Sequence, residues 1–350
     1  MTGQRRNEVL ESLTEIFGER VRRYPLGDES GTVVALASVQ PSTVEEVSYL
    51  AQVAARHSVP LVPLGAETGF ESRPPEGSIL VHFDMMRAIR LPEGDESWVE
   101  AGPGASWLSL EDELRVRGRG LAVYPTSAPR ATVGGWLATD GLGVGSFEFG
   151  WLWENVLRAK VVMHGGGLRE VGGEELGHIF SPEKAHRIVV GATLRTRRAN
   201  TDRPFAAAFS EPGGVAGAVA ALLASEAPLW HLAFVSPTMA AARGLRERYL
   251  LFGVYPRRDG EEWWELRRSV LSDHGGVELD GREAWRIWGE RFFPVAPAHP
   301  TPLATRRFVA ADGLAQELED SRPGDAFQGT VSGTGEVLLL TLGDAEEDSV

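Results

Sequence analysis

Ala131-Thr132-Val133-Gly134-Gly135-Trp136-Leu137-Ala138-Thr139-Asp140-Gly141-Leu142-Gly143 decides the fold, together with Tyr124-Pro125-Thr126-Ser127 just ahead of it. Small residues dominate this stretch, and a helix packed into a core has no need of that. Where the bulk is missing, something else lies close to the main chain. A ligand running along the backbone explains the pattern; a tight turn at Gly134 and Gly135 is the alternative. A second glycine segment, Val62-Pro63-Leu64-Gly65-Ala66-Glu67-Thr68-Gly69-Phe70, follows directly after an apolar run. Its glycines permit positive φ and let backbone N–H groups approach an anion. Taken alone, it is a weak signal, since glycine-rich turns after strands are mostly just turns.

Around these segments the periodicity predicts alternating elements. Apolar residues at Val9, Leu10, Leu13, Ile16 and Phe17 give a helix over Asn7–Phe17. Val33–Val39 reads as a strand. Pro41, Ser42 and Thr43 with Glu45 and Glu46 start a helix, Val44–His57, and Val59–Leu64 is the next strand. Strand, helix, strand and glycine turn make a βαβ unit. Further strands are predicted at Ile79–His82, Trp98–Ala101, Asn155–Met163, Gly167–Val171 and Ile188–Thr196, with a helix at Leu108–Arg117. From Arg203 the pattern becomes strand Arg203–Phe209, helix Val215–Ser225, strand Leu229–Ser236, helix Thr238–Arg248 and strand Leu250–Tyr255. A charged helix, Glu261–Leu271, strand Thr305–Ala310 and helix Gly313–Asp320 precede a hairpin of Ala326–Val331 and Glu336–Leu342. This second half predicts a ferredoxin-like α+β sandwich. The boundary falls in the polar stretch Arg198–Arg203.

Composition narrows the chemistry. The 350 residues contain no cysteine, which excludes disulfides, cysteine-ligated metals and any cysteine-linked cofactor. A net charge of −14 argues against nucleic acid as a partner. The polar start Met1–Glu11 predicts no signal peptide, and the apolar run Val215–Leu223 is too short to span a bilayer. A cytoplasmic protein is therefore expected. The histidines His231, His274 and His299 are scattered and predict no metal centre. Trp285, Trp288, Phe292 and Phe293 have a helical spacing that suits a core or an interface.

The two glycine segments resemble the FAD-contacting segments of the vanillyl-alcohol-oxidase (PCMH-type) superfamily of flavoproteins. The general forms there are Pro-x-Gly-Gly-Gly-Thr after a strand and Ala-Thr-x-Gly-Gly-x-x-Ala-Thr-Asn-x-Gly-Gly. Val39–Val47, Val99-Glu100-Ala101-Gly102-Pro103-Gly104, Phe149-Gly150, Asn155-Val156 and Ala192-Thr193-Leu194 match the flanking segments in order. The resemblance covers about Val33–Arg197 and is nearest to the FAD subunits of glycolate and lactate oxidation.

It implies an α+β protein: a helical segment over 1–30, a two-part FAD-binding domain over 31–200, and a ferredoxin-like substrate or cap domain over 201–350. The cofactor-binding residues it implies are Pro63, Gly65, Ala66, Glu67, Thr68, Gly69, Pro125, Thr126, Thr132, Gly134, Gly135, Ala138, Thr139, Ile188 and Val189. The first glycine segment has no flavin-linking histidine, so the FAD is expected to be non-covalent.

Three positions depart from the pattern. Glu67 stands where glycine is usual; a carboxylate about 5 Å from a phosphate charge would cost roughly 3 kcal/mol, about a hundredfold in affinity. Asp140 replaces an asparagine, and Arg187 a glycine. In the second half, Trp264-Glu265-Leu266-Arg267 is similar to a Trp-x-x-Arg helix whose arginine faces the substrate carboxylate, a role that suits a guanidinium fork. A surface ion pair is the other reading of Arg267. Gln328–Gly335 resembles the superfamily's terminal glycine turn, without its histidine cluster. The resemblance thus implies oxidation of a small 2-hydroxy acid, a carboxylate substrate, by hydride transfer to FAD, with an electron-transfer or oxidase subunit as partner. The alternative is a degenerate, non-catalytic subunit that scaffolds a larger oxidoreductase.

Overall fold

The apolar period at the start of the chain folds as helix α1 (Gly3–Phe17), which buries Val9, Leu10, Leu13 and Phe17. In the computed structural model, the residues described are 3–24, 35–66, 74–94, 96–179, 187–199, 202–225, 227–256, 261–294, 304–322 and 324–342. They divide into two units: Met1–Leu114, Ala128–Gly141 and Val156–Thr196 in the first, Arg115–Ser127, Leu142–Asn155 and Arg197–Val350 in the second.

In the first unit, strands β1 (Val21–Arg23) and β2 (Ala37–Val39) lead into helix α2 (Val44–His57). The Thr43 hydroxyl caps α2 by accepting from the Glu46 N–H at 3.2 Å, and Ser58, at φ 47°, ends it. Strands β3 (Leu61–Leu64) and β4 (Ile79–His82) complete a sheet in the order β1-β2-β4-β3. β2 and β3 both run parallel to β4, so the βαβ unit straddles a strand that comes later in the chain. The next elements are β5 (Ile89–Arg90), β6 (Trp98–Ala101) and α3 (Trp107–Arg115). Strand β7 (Arg119–Leu121) lies in the second unit, α4 (Val133–Thr139) in the first and α5 (Ser146–Phe149) in the second. Then come β8 (Val156–Met163), β9 (Leu168–Val171), α6 (Glu174–Ile179) and β10 (Arg187–Arg198). An antiparallel sheet runs β5-β6-β10-β8-β9.

One core joins the two sheets. Val47, Leu50 and Val53 of α2 pack with Ile79 and Val81 of β4 on one side and with Val162, Ile188 and Val190 of β8 and β10 on the other. Each such side chain contributes about 1.5–3 kcal/mol. Burial of α2 between sheets holds the two layers as one body.

The second unit contains β11 (Asp202–Phe209), α7 (Pro212–Ala224), β12 (His231–Val235), α8 (Pro237–Ala242), β13 (Tyr249–Pro256) and α9 (Glu261–Asp273). It ends with β14 (Val277–Glu278), α10 (Gly281–Gly289), β15 (Ala304–Ala310), α11 (Leu314–Glu319), β16 (Ala326–Val331) and β17 (Glu336–Leu342). Its antiparallel sheet runs β14-β11-β13-β12-β16-β17-β15. Phe205, Leu232, Phe234, Leu251 and Leu339 pack on one face against Val219 and Leu222 of α7 and Leu318 of α11. The period of two turns His231, Gln328, Thr330 and Ser332 to the other face, where all four are buried. The helix expected over Thr238–Arg248 is shorter, because the chain turns at Gly244 with φ 67°. Of the α10 aromatics, Trp288 is buried and Trp285 is 55% exposed.

Candidate cofactor-binding site

Trp107, at the start of α3, is fully buried, and its indole Nε1–H donates to the Thr132 carbonyl at 3.0 Å. Its ring meets Trp136 edge to face, with centroids 5.2 Å apart. That contact fixes α4 against α3 and so positions the second glycine segment. The Thr132 hydroxyl caps α4 by accepting from the Gly135 N–H at 3.3 Å. The Val133 N–H donates to the Ala105 carbonyl and the Gly134 N–H to the Pro103 carbonyl, both at 2.8 Å. All three first-turn amides of α4 therefore have partners within the protein.

The two glycine segments meet. A Cβ on Gly65 would stand 2.9 Å from the Thr132 hydroxyl oxygen and 3.3 Å from Gly135 Cα. A Cβ on Gly134 would stand 2.9 Å from the Pro103 side chain. Glycine is required at these positions for main chain to pass main chain. The outer side of the junction has little bulk: Pro63, Gly65, Ala138 and Thr139 are exposed, and Ala66, Thr132, Gly134 and Gly135 are half-buried. Thr139 turns its hydroxyl back to the Trp136 carbonyl at 3.1 Å. Asp140 ends α4 with φ 50°, a conformation that asparagine and aspartate tolerate better than most residues.

This strip fits an extended dinucleotide laid along small residues. The α4 amides are already used, so its phosphates would depend on amides of the first segment. Within that segment Glu67, Thr68 and Gly69 lie outside the described residues, as does His299. Ile188 and Val189 are buried, and Ile188 belongs to the core around α2. Arg187, at the start of β10, is half-buried, which pushes its guanidinium below its usual range. Pro125 and Thr126 are buried in the second unit, where the Thr126 carbonyl accepts from the Phe293 N–H at 2.9 Å.

Arg267 is 2% exposed and ion-paired with Glu278. Its guanidinium carbon lies 4.6 Å from the Trp264 ring centroid and 5.1 Å from that of Phe205. Burial, and the carboxylate of Glu278 less strongly, push the nearby Tyr255 phenol up, while Arg267 opposes them. A substrate carboxylate would reach Arg267 only by displacing Glu278. Periodicity could not foresee this partner, which arrives from β14.

Sequence reasoning also passed over Trp107 and the carbonyls of Pro103 and Ala105, which place α4. A tryptophan three residues after the Gly102-Pro103-Gly104 turn was the available signal. It read His231 only as one of three scattered histidines; a histidine opening a strand whose five residues are all buried was a signal that something polar is enclosed. Among the described residues, no group of three or more histidine, aspartate or glutamate residues could hold a metal ion, and no helix is long and apolar enough to cross a membrane.

Comparison with known proteins points to the same cofactor. Residues 35–172 match a family model described as the FAD binding domain. The chain is 30% identical over 130 residues to a D-lactate dehydrogenase (cytochrome), mitochondrial, of Arabidopsis thaliana, covering 37% of this chain and 23% of that protein. It is 29% identical over 153 residues to a D-lactate dehydrogenase of Archaeoglobus fulgidus, covering 43% and 34%. The chain thus matches about a third or less of the length of either relative. Among solved structures, p-cresol methylhydroxylase with substrate bound superposes with a TM-score of 0.77 at 13% identity, over 98% of this chain and 84% of that one.

Proposed function

We propose that this chain, which belongs to the PCMH-type FAD-binding family and has FAD as its cofactor, oxidises a small 2-hydroxy acid of the lactate or glycolate kind. The convergence of Gly65 with Thr132 and Gly135 carries the reading, because it leaves a continuous strip of small side chains of the kind a dinucleotide needs. When bound, FAD accepts the hydride from the hydroxyl-bearing carbon. The protein's part is to hold and orient it: Gly65 and Ala66 on the phosphate side, and Thr132, Gly134, Gly135, Ala138 and Thr139 along its length. Attachment is non-covalent, with no cysteine in the chain to form a link. The half-sheet β14-β11-β13-β12 supports a ferredoxin-like reading of the cap. Electrons would leave through a partner subunit or a diffusible acceptor.

Two observations favour a second reading, a non-catalytic subunit of a larger oxidoreductase: the α4 amides are consumed within the protein, and Arg267 already holds Glu278. Anaerobic absorption spectra of FAD-loaded protein separate the two. Bleaching of the flavin by D-lactate or glycolate supports the enzyme. Retained colour with every 2-hydroxy acid tried supports the scaffold.

A further inference from the structure

The His231 ring is enclosed by Trp230, Phe252 and Trp288, with ring centroids at 6.4, 6.1 and 5.6 Å. Its Nδ1 accepts from the Gly145 N–H at 3.4 Å, so the ring proton belongs on Nε2. Nε2 is buried and has no partner among the described residues. The guanidinium of Arg291 lies over the same Trp288 ring at 4.4 Å. It donates through Nε to the Tyr124 hydroxyl and through a second N–H to the Trp288 carbonyl, both at 3.0 Å. Those two bonds use two of its roughly five N–H donors, and both end on neutral oxygens. Among the described residues no carboxylate pairs with Arg291. The contrast is Arg197, also close enough to act on His231, which is neutralised by Asp202 through two bonds of 2.7 Å.

What is unsatisfied here is all of one kind. The His231 Nε2–H is a buried donor left over, the half-buried Arg291 has N–H groups beyond the two already used, and the charge is positive. Arg243 continues the pattern. It donates to Gln328 Oε1 at 2.6 Å and to the Glu290 carbonyl at 2.8 Å, Gln328 in turn donates to the Arg291 carbonyl at 3.0 Å, and Arg243 Nε has no partner among the described residues. Buried donors without acceptors are costly, and an acceptor-only anion removes that cost.

We propose that His231 and Arg291 form a binding site for a small carboxylate, with the guanidinium taking the carboxylate fork and the Nε2–H donating to it. The proposal rests on the hydroxy-acid reading only in choosing a carboxylate over other oxyanions. It also gives a substrate acid an anchor that Arg267 does not offer.

The test is tryptophan fluorescence, since Trp230 and Trp288 border the site, read during titration with acetate, D-lactate and sodium sulfate at constant ionic strength. Saturable changes with acetate and D-lactate are expected, with Arg291→Gln weakening both at least tenfold and Arg291→Lys recovering part of the loss. If Arg291→Gln does not fold, His231→Gln is read instead, with the same tenfold expectation. No saturable response to acetate, or unchanged affinity in the variants, overturns the site. Sulfate binding as tightly as acetate overturns the assignment to carboxylates. Acetate and D-lactate binding without flavin bleaching leaves this site standing and removes the oxidation reading. Bleaching by D-lactate with an unchanged KM in Arg291→Gln keeps the oxidation reading and overturns the site.

Discussion

Arg267 and His231 show how far a side chain's role depends on what burial puts beside it. Arg267 is almost wholly buried, and removing it leaves Glu278, 27% exposed, with its longer 3.5 Å contact to Arg268. Arg267→Ala should lower unfolding free energy by about 1.5–3 kcal/mol, read as a drop in urea midpoint. If the variant keeps its midpoint and only loses turnover, Arg267 is a substrate ligand after all. His231 is held neutral: burial, then the charges of Arg291 and Arg197, lower its pKa from 6.5 to about 3. The unfolded chain takes up that proton as pH falls through 6.5 while the folded chain does not until about 3, so stability is lost across that window. Above 6.5 both states are neutral and the group contributes no pH dependence. Melting temperatures of the native protein and His231→Phe, compared at about pH 7 and about pH 5, should show the smaller acid loss in the variant. Equal losses would mean that His231 is accessible to protons when folded. Neither environment was legible in the sequence, because Glu278 reaches Arg267 only through the pairing of β14 with β11, and Trp288 and Arg291 are distant from His231 in the chain.

At the scale of elements, α3 was legible and α4 was not: the sequence marked Gly134-Gly135 as a place of close approach or a tight turn, and the helix capped by Thr132 emerged only in the fold. That Gly134 makes room for Pro103, and Gly65 for Thr132, is a fact of packing between segments more than thirty residues apart in the chain. Small residues therefore served two purposes that the sequence merged into one: ligand space on the exposed side and main-chain contact on the buried side. Gly65→Ala separates them, since the added Cβ would press the Thr132 hydroxyl oxygen at 2.9 Å. We expect FAD uptake, followed by flavin absorbance after gel filtration, to fall at least tenfold while far-ultraviolet circular dichroism is unchanged. Uptake equal to the native protein would show that the two segments can part without loss. The truncation of the helix after Ser236 is a simpler matter: the sequence contains Gly244 but does not say that the chain must reverse there.

For the whole molecule, FAD that binds only the folded chain raises stability by mass action, by about 2.7 kcal/mol at a hundredfold excess over its dissociation constant. A calorimetric melt with added FAD should shift upward, and a melt insensitive to FAD would contradict binding to the native state. The sequence by itself determined the family resemblance, the order of most of the longer strands and helices, the two glycine segments and the absence of cysteine chemistry. These depend on local periodicity, turn chemistry and residue identity, which survive without knowledge of contacts. Only the tertiary structure decided that β4 enters between β2 and β3, that α2 is shared by two sheets, and that β14 brings Glu278 to Arg267. It alone gathered His231, Trp288, Arg291 and Tyr124 on the sheet face opposite α7 and α11. Contacts of that kind are set by which distant surfaces bury one another, and no single stretch of chain contains both sides of such a contact.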